Sequence, residues 1–135
     1  MSTMIFVNIP VRDLAASMAY YKALGFDHNP QFTDDTAACI VISDTIFVMA
    51  LTHGKFAEFS SKPIPDPKTT TAALYALSCD SRAAVDAIAE AGIKAGGTET
   101  RDAQDYGFMY GRAVADPDGH VWEYTWMDMS QMPSE

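Results

Sequence analysis

Two segments of this chain stand in the same relation to what flanks them, and that repetition constrains the fold more than any other feature. Asp13 precedes an amphipathic stretch that runs to Leu24, with Leu14, Met18, Tyr21 and Leu24 on one stripe, and Gly25 follows it. At the same spacing, Asp80 or Ser81 precedes a second stretch running to about Ala91, with Val85 and Ile88 on its stripe, and Gly92 follows. A side-chain acceptor before a periodic segment marks a helix N-cap, and a glycine just past it marks the stop. Strand patterns surround both helices. Residues 4–10 come before the first; residues 26–32, 37–42 and 45–51 come after it. Residues 70–79 come before the second; residues 98–104, 106–114 and 120–126 come after it. Each half reads β-α-β-β-β, so the chain is an internal duplication. The expectation is an α+β fold of two tandem repeats, whose curved mixed sheets enclose a cavity lined by alternate residues of each strand.

The boundaries follow from composition. Repeat one covers about residues 4–52, a linker about 53–69 and repeat two about 70–127, within a single domain of residues 1–135. The linker holds a short helical piece at residues 54–59 and then Lys62-Pro63-Ile64-Pro65-Asp66-Pro67. Prolines at that density cannot join a central strand, because each lacks the ladder donor. The tail from residue 127 has no periodicity, and its Met127, Met129 and Met132 are suited to cover an apolar surface, for example on a second subunit.

Net charge is −9, from 18 acidic and 9 basic residues, which argues against a nucleic-acid partner. No apolar run is long enough to span a bilayer, and no basic, cleavable leader opens the sequence, so no membrane partner and a cytoplasmic location are expected. Cys39 and Cys79 fall in separate strands without paired spacing and read as small buried hydrophobes.

The most informative local signal is Asp116-Pro117-Asp118-Gly119, a tight-turn sequence between residues 110–115 and 121–126. The second arm of this hairpin carries Glu123 in an apolar and aromatic run. Alternation puts Val121, Glu123 and Thr125 on the cavity face and Trp122, Tyr124 and Trp126 on the helix side. A buried carboxylate needs a partner. In the preceding strand Tyr106, Phe108, Tyr110 and Arg112 share a face. If that face lines the cavity, Arg112 pairs with Glu123 or holds a ligand anion; if it faces outward, Arg112 is a surface residue. The three aromatics are then ligand-stacking groups or plain core and dimer packing. Asn8 shares a face of the first strand with Phe6 and Pro10, as a ligand contact or as a satisfied core amide.

These motifs carry a resemblance. Residues 6–14 (Phe-Val-Asn-Ile-Pro-Val-Arg-Asp-Leu), Ser17, Tyr20-Tyr21, Leu24-Gly25-Phe26, and residues 116–120 with Glu123 resemble the vicinal oxygen chelate superfamily, which includes glyoxalase I, bleomycin and fosfomycin resistance proteins and extradiol dioxygenases. The paired repeats extend the likeness from about residue 4 to 126. Residues 29–33 and 104–112 are similar to a bacterial subgroup labelled predicted lactoylglutathione lyase. The resemblance implies small-molecule binding, homodimers and, in catalytic members, a divalent metal such as Zn, Ni or Fe held from four strands. The corresponding positions here are Phe6, Ala50, Leu74 (Ala73 or Tyr75 with a register shift) and Glu123, and a slip would offer Asn8. Only Glu123 is a good ligand, whereas a stable site needs at least three N, O or S donors. No resident cofactor is therefore expected. His53 and His120 flank the relevant strands without sharing the expected face of Glu123, and His28 lies in a turn. Two functions remain: a protein that binds a small organic molecule, with no assigned activity, or a glyoxalase-like lyase or isomerase using Glu123 as base or metal ligand.

Overall fold

The computed structural model describes residues 2–131. The chain forms two compact units, Met1–Asp66 and Pro67–Glu135. In unit one the order is β1 (Ile5–Val11), α1 (Leu14–Ala23), β2 (His28–Asn29), β3 (Ala37–Val41), β4 (Ile46–Thr52) and α2 (His53–Phe59). In unit two it is β5 (Leu74–Ser78), α3 (Arg82–Lys94), β6 (Thr98–Asp105), β7 (Met109–Ala115) and β8 (Val121–Met127). Each unit has one four-stranded mixed sheet, ordered β1-β4-β3-β2 and β5-β8-β7-β6. The first strand of each runs parallel to the last, and the remaining pairs are antiparallel. This is the duplicated β-α-β-β-β architecture expected from the sequence, and neither sheet closes into a barrel.

One face of each sheet is covered by its helix. In unit one, Ile9, Val11, Ala38, Ile40, Val48 and Ala50 are fully buried, together with Tyr20 and Tyr21 of α1. The buried residues of α1 are Leu14, Ser17, Tyr20 and Tyr21, so its inner stripe is centred on the tyrosine pair rather than on Met18 and Leu24. In unit two, Val85 and Ala89 of α3 are buried with Val114, Trp122 and Tyr124 of the sheet. The faces away from the helices are less covered, and they carry the clefts described below.

Helix boundaries follow local hydrogen bonds. Asp13 accepts from the Ala16 N–H at 3.1 Å, and Ser81, not Asp80, accepts from the Ala84 N–H at 3.0 Å. The second helix runs past its expected stop. Gly92 is buried inside α3, and the stop is Gly96, whose φ of +112° matches the +98° of Gly25. Both stop glycines donate to the carbonyl three residues back, Lys22 for Gly25 and Ile93 for Gly96. The expected strand over residues 26–32 shrinks to His28–Asn29, because Asn29 accepts from the Gln31 N–H at 3.0 Å and Pro30 opens a 3-10 turn, Pro30–Phe32. Residues 70–73 precede β5 without joining it, and Tyr106, Gly107 and Phe108 form the β6–β7 turn rather than the start of a strand. The tail begins with a short 3-10 turn, Met129–Gln131; Met127 is half-buried and Met129 is exposed, while Met132 lies outside the described residues.

The β7–β8 turn is built by Asp116. Its Oδ1 accepts the backbone N–H groups of Asp118, Gly119 and His120 at 2.9–3.0 Å. Gly119 has a φ of +107°, and a Cβ there would sit 2.6 Å from the Pro67 carbonyl oxygen. That position therefore demands glycine twice, for its dihedral and for the close approach of the preceding chain.

Candidate functional site

Unit two carries a cleft of about 690 Å³ on the face of its sheet opposite α3. Its floor is strand alternation made concrete: Ala113 and Ala115 of β7, Val121 and Glu123 of β8, and Leu74 of β5. Thr98, Thr100 and Arg101 of β6 form one wall. Pro67, Lys68 and Thr71, which lead into β5, form another. Small side chains on β7 leave the space.

Glu123 has a partner, and it is Arg101. The Nη2 of Arg101 donates to the Oε2 of Glu123 at 2.6 Å, with the two side chains 32% and 22% exposed. A short charge-assisted hydrogen bond in a half-buried setting is stronger than an exposed ion pair. The Nη1 of Arg101 is buried and has no hydrogen-bond partner among the described residues.

The sequence reading missed Arg101 because plain alternation puts it on the wrong side. Thr98 and Thr100 should share one face of β6, and Glu99 and Arg101 the other. The ladder breaks that rule: Glu99 opposes Val114 and Arg101 opposes Ala113, so two steps on β6 match one on β7. This β-bulge inserts Thr100 as the extra residue and turns Arg101 onto the face of Ala113 and Glu123. A second irregularity follows between Arg101 and Gln104. The one available signal was chemical: a strand with an inward carboxylate beside it needs a cation, and Arg101 is the only one in residues 98–105.

The pairing of Arg112 with Glu123, one of the alternatives read from the sequence, is corrected by the geometry. Arg112 does not meet Glu123. It opposes Tyr124 on the α3 side of the sheet and binds Asp86 at 3.2 Å, Glu90 at 2.8 Å and Glu99 at 3.0 Å. Tyr110 is on that side too, donating its hydroxyl to Asp86 Oδ1 at 2.6 Å. The Tyr110 hydroxyl and then Arg112 hold the Asp86 carboxyl below its usual range, while the bond to Asp86 and burial push the Tyr110 phenol up. The large face of β7 thus packs on the helix, because α3 supplies the carboxylates that neutralise its arginine. Tyr106 and Phe108 stand exposed at the β6–β7 turn and do not line the cleft. That turn is held by Arg82 of α3, which donates to both oxygens of Asp105 at 2.7 and 2.9 Å and to the Gly107 carbonyl at 2.7 Å. The same guanidinium lies 5.2 Å from the Tyr110 ring centroid and 5.1 Å from that of Trp126.

Unit one has its own, smaller cleft of about 400 Å³, lined by Asn8, Leu51, Phe56, Phe59 and Ser60. Asn8 is exposed there, with its Nδ2 donating to the Phe6 carbonyl at 3.1 Å. Beside it the Phe6 and Phe47 rings stack at 4.9 Å. This face is apolar and aromatic.

The metal-ligand positions implied by the resemblance do not fit a divalent ion. Phe6, Ala50 and Leu74 have no donor atom, and Ala50 is fully buried on the helix-covered face. Glu123 is engaged by Arg101. His53 is an exposed residue at the start of α2, and His120 is buried in the Asp116 turn. Among the described residues no group of three or more His, Cys, Asp or Glu could hold a metal. Cys39 is buried and Cys79 half-buried; burial pushes both thiols up, as expected of packing cysteines. No helix among the described residues is long and apolar enough to cross a membrane.

Comparison with known proteins agrees with this architecture. A hypothetical protein from S. aureus is 26% identical, with a TM-score of 0.78 over 93% of this chain and 95% of that one. A glyoxalase/bleomycin resistance protein/dioxygenase family enzyme from Burkholderia phytofirmans is 20% identical, with a TM-score of 0.76 over 93% and 99%. A bleomycin resistance determinant encoded on the transposon Tn5 is 20% identical, with a TM-score of 0.67 over 95% and 100%. No curated protein matches the chain. The family described as the Glyoxalase/Bleomycin resistance protein/Dioxygenase superfamily matches residues 3–124. On that match, which spans both β-α-β-β-β units, the chain belongs to the glyoxalase/bleomycin resistance protein/dioxygenase superfamily.

Proposed function

We propose that this protein binds a small organic molecule in the cleft of unit two, without metal-dependent turnover, and that Glu123 and Arg101 are its polar contacts. The observation that carries this reading is the 2.6 Å pair itself: the one carboxylate at a family ligand position is held by a guanidinium at the floor of a cleft large enough for a ligand. Asn8, with Phe56 and Phe59, offers a second contact surface in unit one. Tyr110 and Arg112 are assigned to packing against α3, and Tyr106 and Phe108 to the surface. Superfamily members commonly dimerise; exposed Met4, Ile5 and Phe6, on and beside the edge strand β1, suit a homodimer here as well.

The test is a thermal-shift screen of small organic compounds, with hits mapped by 15N NMR. Shifts at Thr98, Thr100, Ala113 and Ala115 support the reading. Hits that leave those amides unmoved sink it.

The second reading is a lyase of the lactoylglutathione type, with Glu123 as base or metal ligand. Its support is the placement of Glu123 in the cleft. Turnover of a glutathione hemithioacetal by the wild type with added Zn, Ni or Fe, lost in Glu123→Gln with the fold kept, would establish it. Equal rates in the two proteins remove Glu123 from any mechanism.

A further inference from the structure

The unit-two cleft has two cations and two carboxylates in its walls, Lys68 and Arg101 against Asp116 and Glu123. Asp116 is committed to three backbone N–H groups of its own turn. Lys68 is engaged as well, and its charge offsets that of Asp116, so the remaining contrast is between Arg101 and Glu123, which neutralise each other at 2.6 Å. A free anion that approaches Arg101 must therefore also approach Glu123, and attraction and repulsion largely cancel. A free cation meets the reverse difficulty. Either ion also loses its hydration on entering, and nothing in the pair compensates for that loss.

A neutral acceptor faces neither obstacle. The Nη1 of Arg101 has no partner among the described residues, but it is buried, so a ligand oxygen reaches it only when the guanidinium turns towards the cleft. Thr98 and Thr100 add hydroxyls that can donate or accept. Leu74, Ala113, Ala115 and Val121 supply an apolar surface for the body of the ligand.

Building on the reading above, we infer that the cleft selects a neutral, largely apolar molecule bearing a carbonyl oxygen, and that Glu123 sets this selectivity by masking the charge of Arg101. Glu123 is then a specificity-determining residue whatever the identity of the ligand. The role is electrostatic, so it is lost when the carboxylate becomes an amide of the same shape.

Three probes of equal size and different charge test it: benzamide, benzoate and benzamidine, titrated into the full-length protein at constant salt and followed by 15N NMR. The wild type should bind benzamide more tightly than either ion, with shifts at Thr98, Thr100, Ala113 and Ala115. Glu123→Gln uncovers Arg101 and should raise the benzoate-to-benzamide affinity ratio at least tenfold. Arg101→Met uncovers Glu123 and should raise the benzamidine-to-benzamide ratio by a similar factor. A wild type that prefers an ion overturns the inference, and this arm needs no variant to fold. So does a Glu123→Gln protein with a native spectrum and an unchanged ratio. Cleft shifts in the wrong charge order leave the small-molecule reading standing and defeat only the masking. Absence of cleft shifts from all three probes in both wild type and Glu123→Gln defeats both.

Discussion

Arg112 and Arg101 show how differently two arginines of one sheet are used. Arg112, with its side chain 11% exposed, binds three carboxylates on the α3 side, and its guanidinium is held above its ordinary range first by Glu99. Replacing it with Gln removes these bonds and leaves Asp86 only its tyrosine. Urea unfolding should show a loss of about 1–3 kcal/mol. Ligand shifts in the cleft should not change; if they vanish in a folded Arg112→Gln protein, the assignment of Arg112 to packing is wrong. Asp105 gives a pH prediction. The Arg82 fork, and then the Gly107 N–H, lower its carboxyl from 3.8 to about 2. A depressed carboxylate contributes its stabilisation above the unfolded value and loses it as pH falls through the folded one. The β6–β7 turn should therefore stay closed at pH 4 and open only towards pH 2, read as exchange protection of the Gly107 amide or the Asp105 carboxyl titration. A midpoint near 3.8 would mean that the Arg82 clamp is not formed in solution.

At the scale of elements, caps and glycines set where each segment begins and stops. Ser81→Ala removes the acceptor for the Ala84 N–H and should cost about 1 kcal/mol in denaturant unfolding. Gly25→Ala and Gly119→Ala separate the two reasons for glycine. Both carry positive φ, but a Cβ at Gly25 meets nothing within 4 Å, whereas at Gly119 it would meet Pro67 and Lys68 at 2.6–2.9 Å. Gly25→Ala should cost about 1 kcal/mol and Gly119→Ala distinctly more. Equal losses would show that the approach of Pro67 is not maintained. The helices, the Asp116 hairpin and the order of strands were legible because caps, turn residues and period-two patterns are local. The stop of α3 was not: Gly92 and Gly96 read alike in sequence, and packing of Gly92 inside the helix leaves Gly96 as the terminator. The bulge in β6 was equally hidden, since it exists only as a mismatch with β7.

For the molecule as a whole, the duplication has yielded two units of one architecture and different chemistry. Unit one presents a stacked Phe6–Phe47 pair and an apolar cleft beside Asn8. Unit two presents an ion pair among threonines. With Phe6, Ala50 and Leu74 at the ligand positions that the resemblance implies, addition of Zn, Ni or Co to metal-free protein should give no saturable rise in Tm. A stoichiometric rise would show that a donor set other than these positions assembles in solution.

The sequence alone determined the duplicated architecture, the family, the turn that delivers Glu123 and the side of its strand on which it lies. Those properties follow from periodicity and local hydrogen bonding, which are written in neighbouring residues. Tertiary structure decided the partner of Glu123 and the destination of Arg112. Both depend on strand register and on which helix carboxylates lie opposite, and one extra residue in β6 moves Arg101 from one face of the sheet to the other.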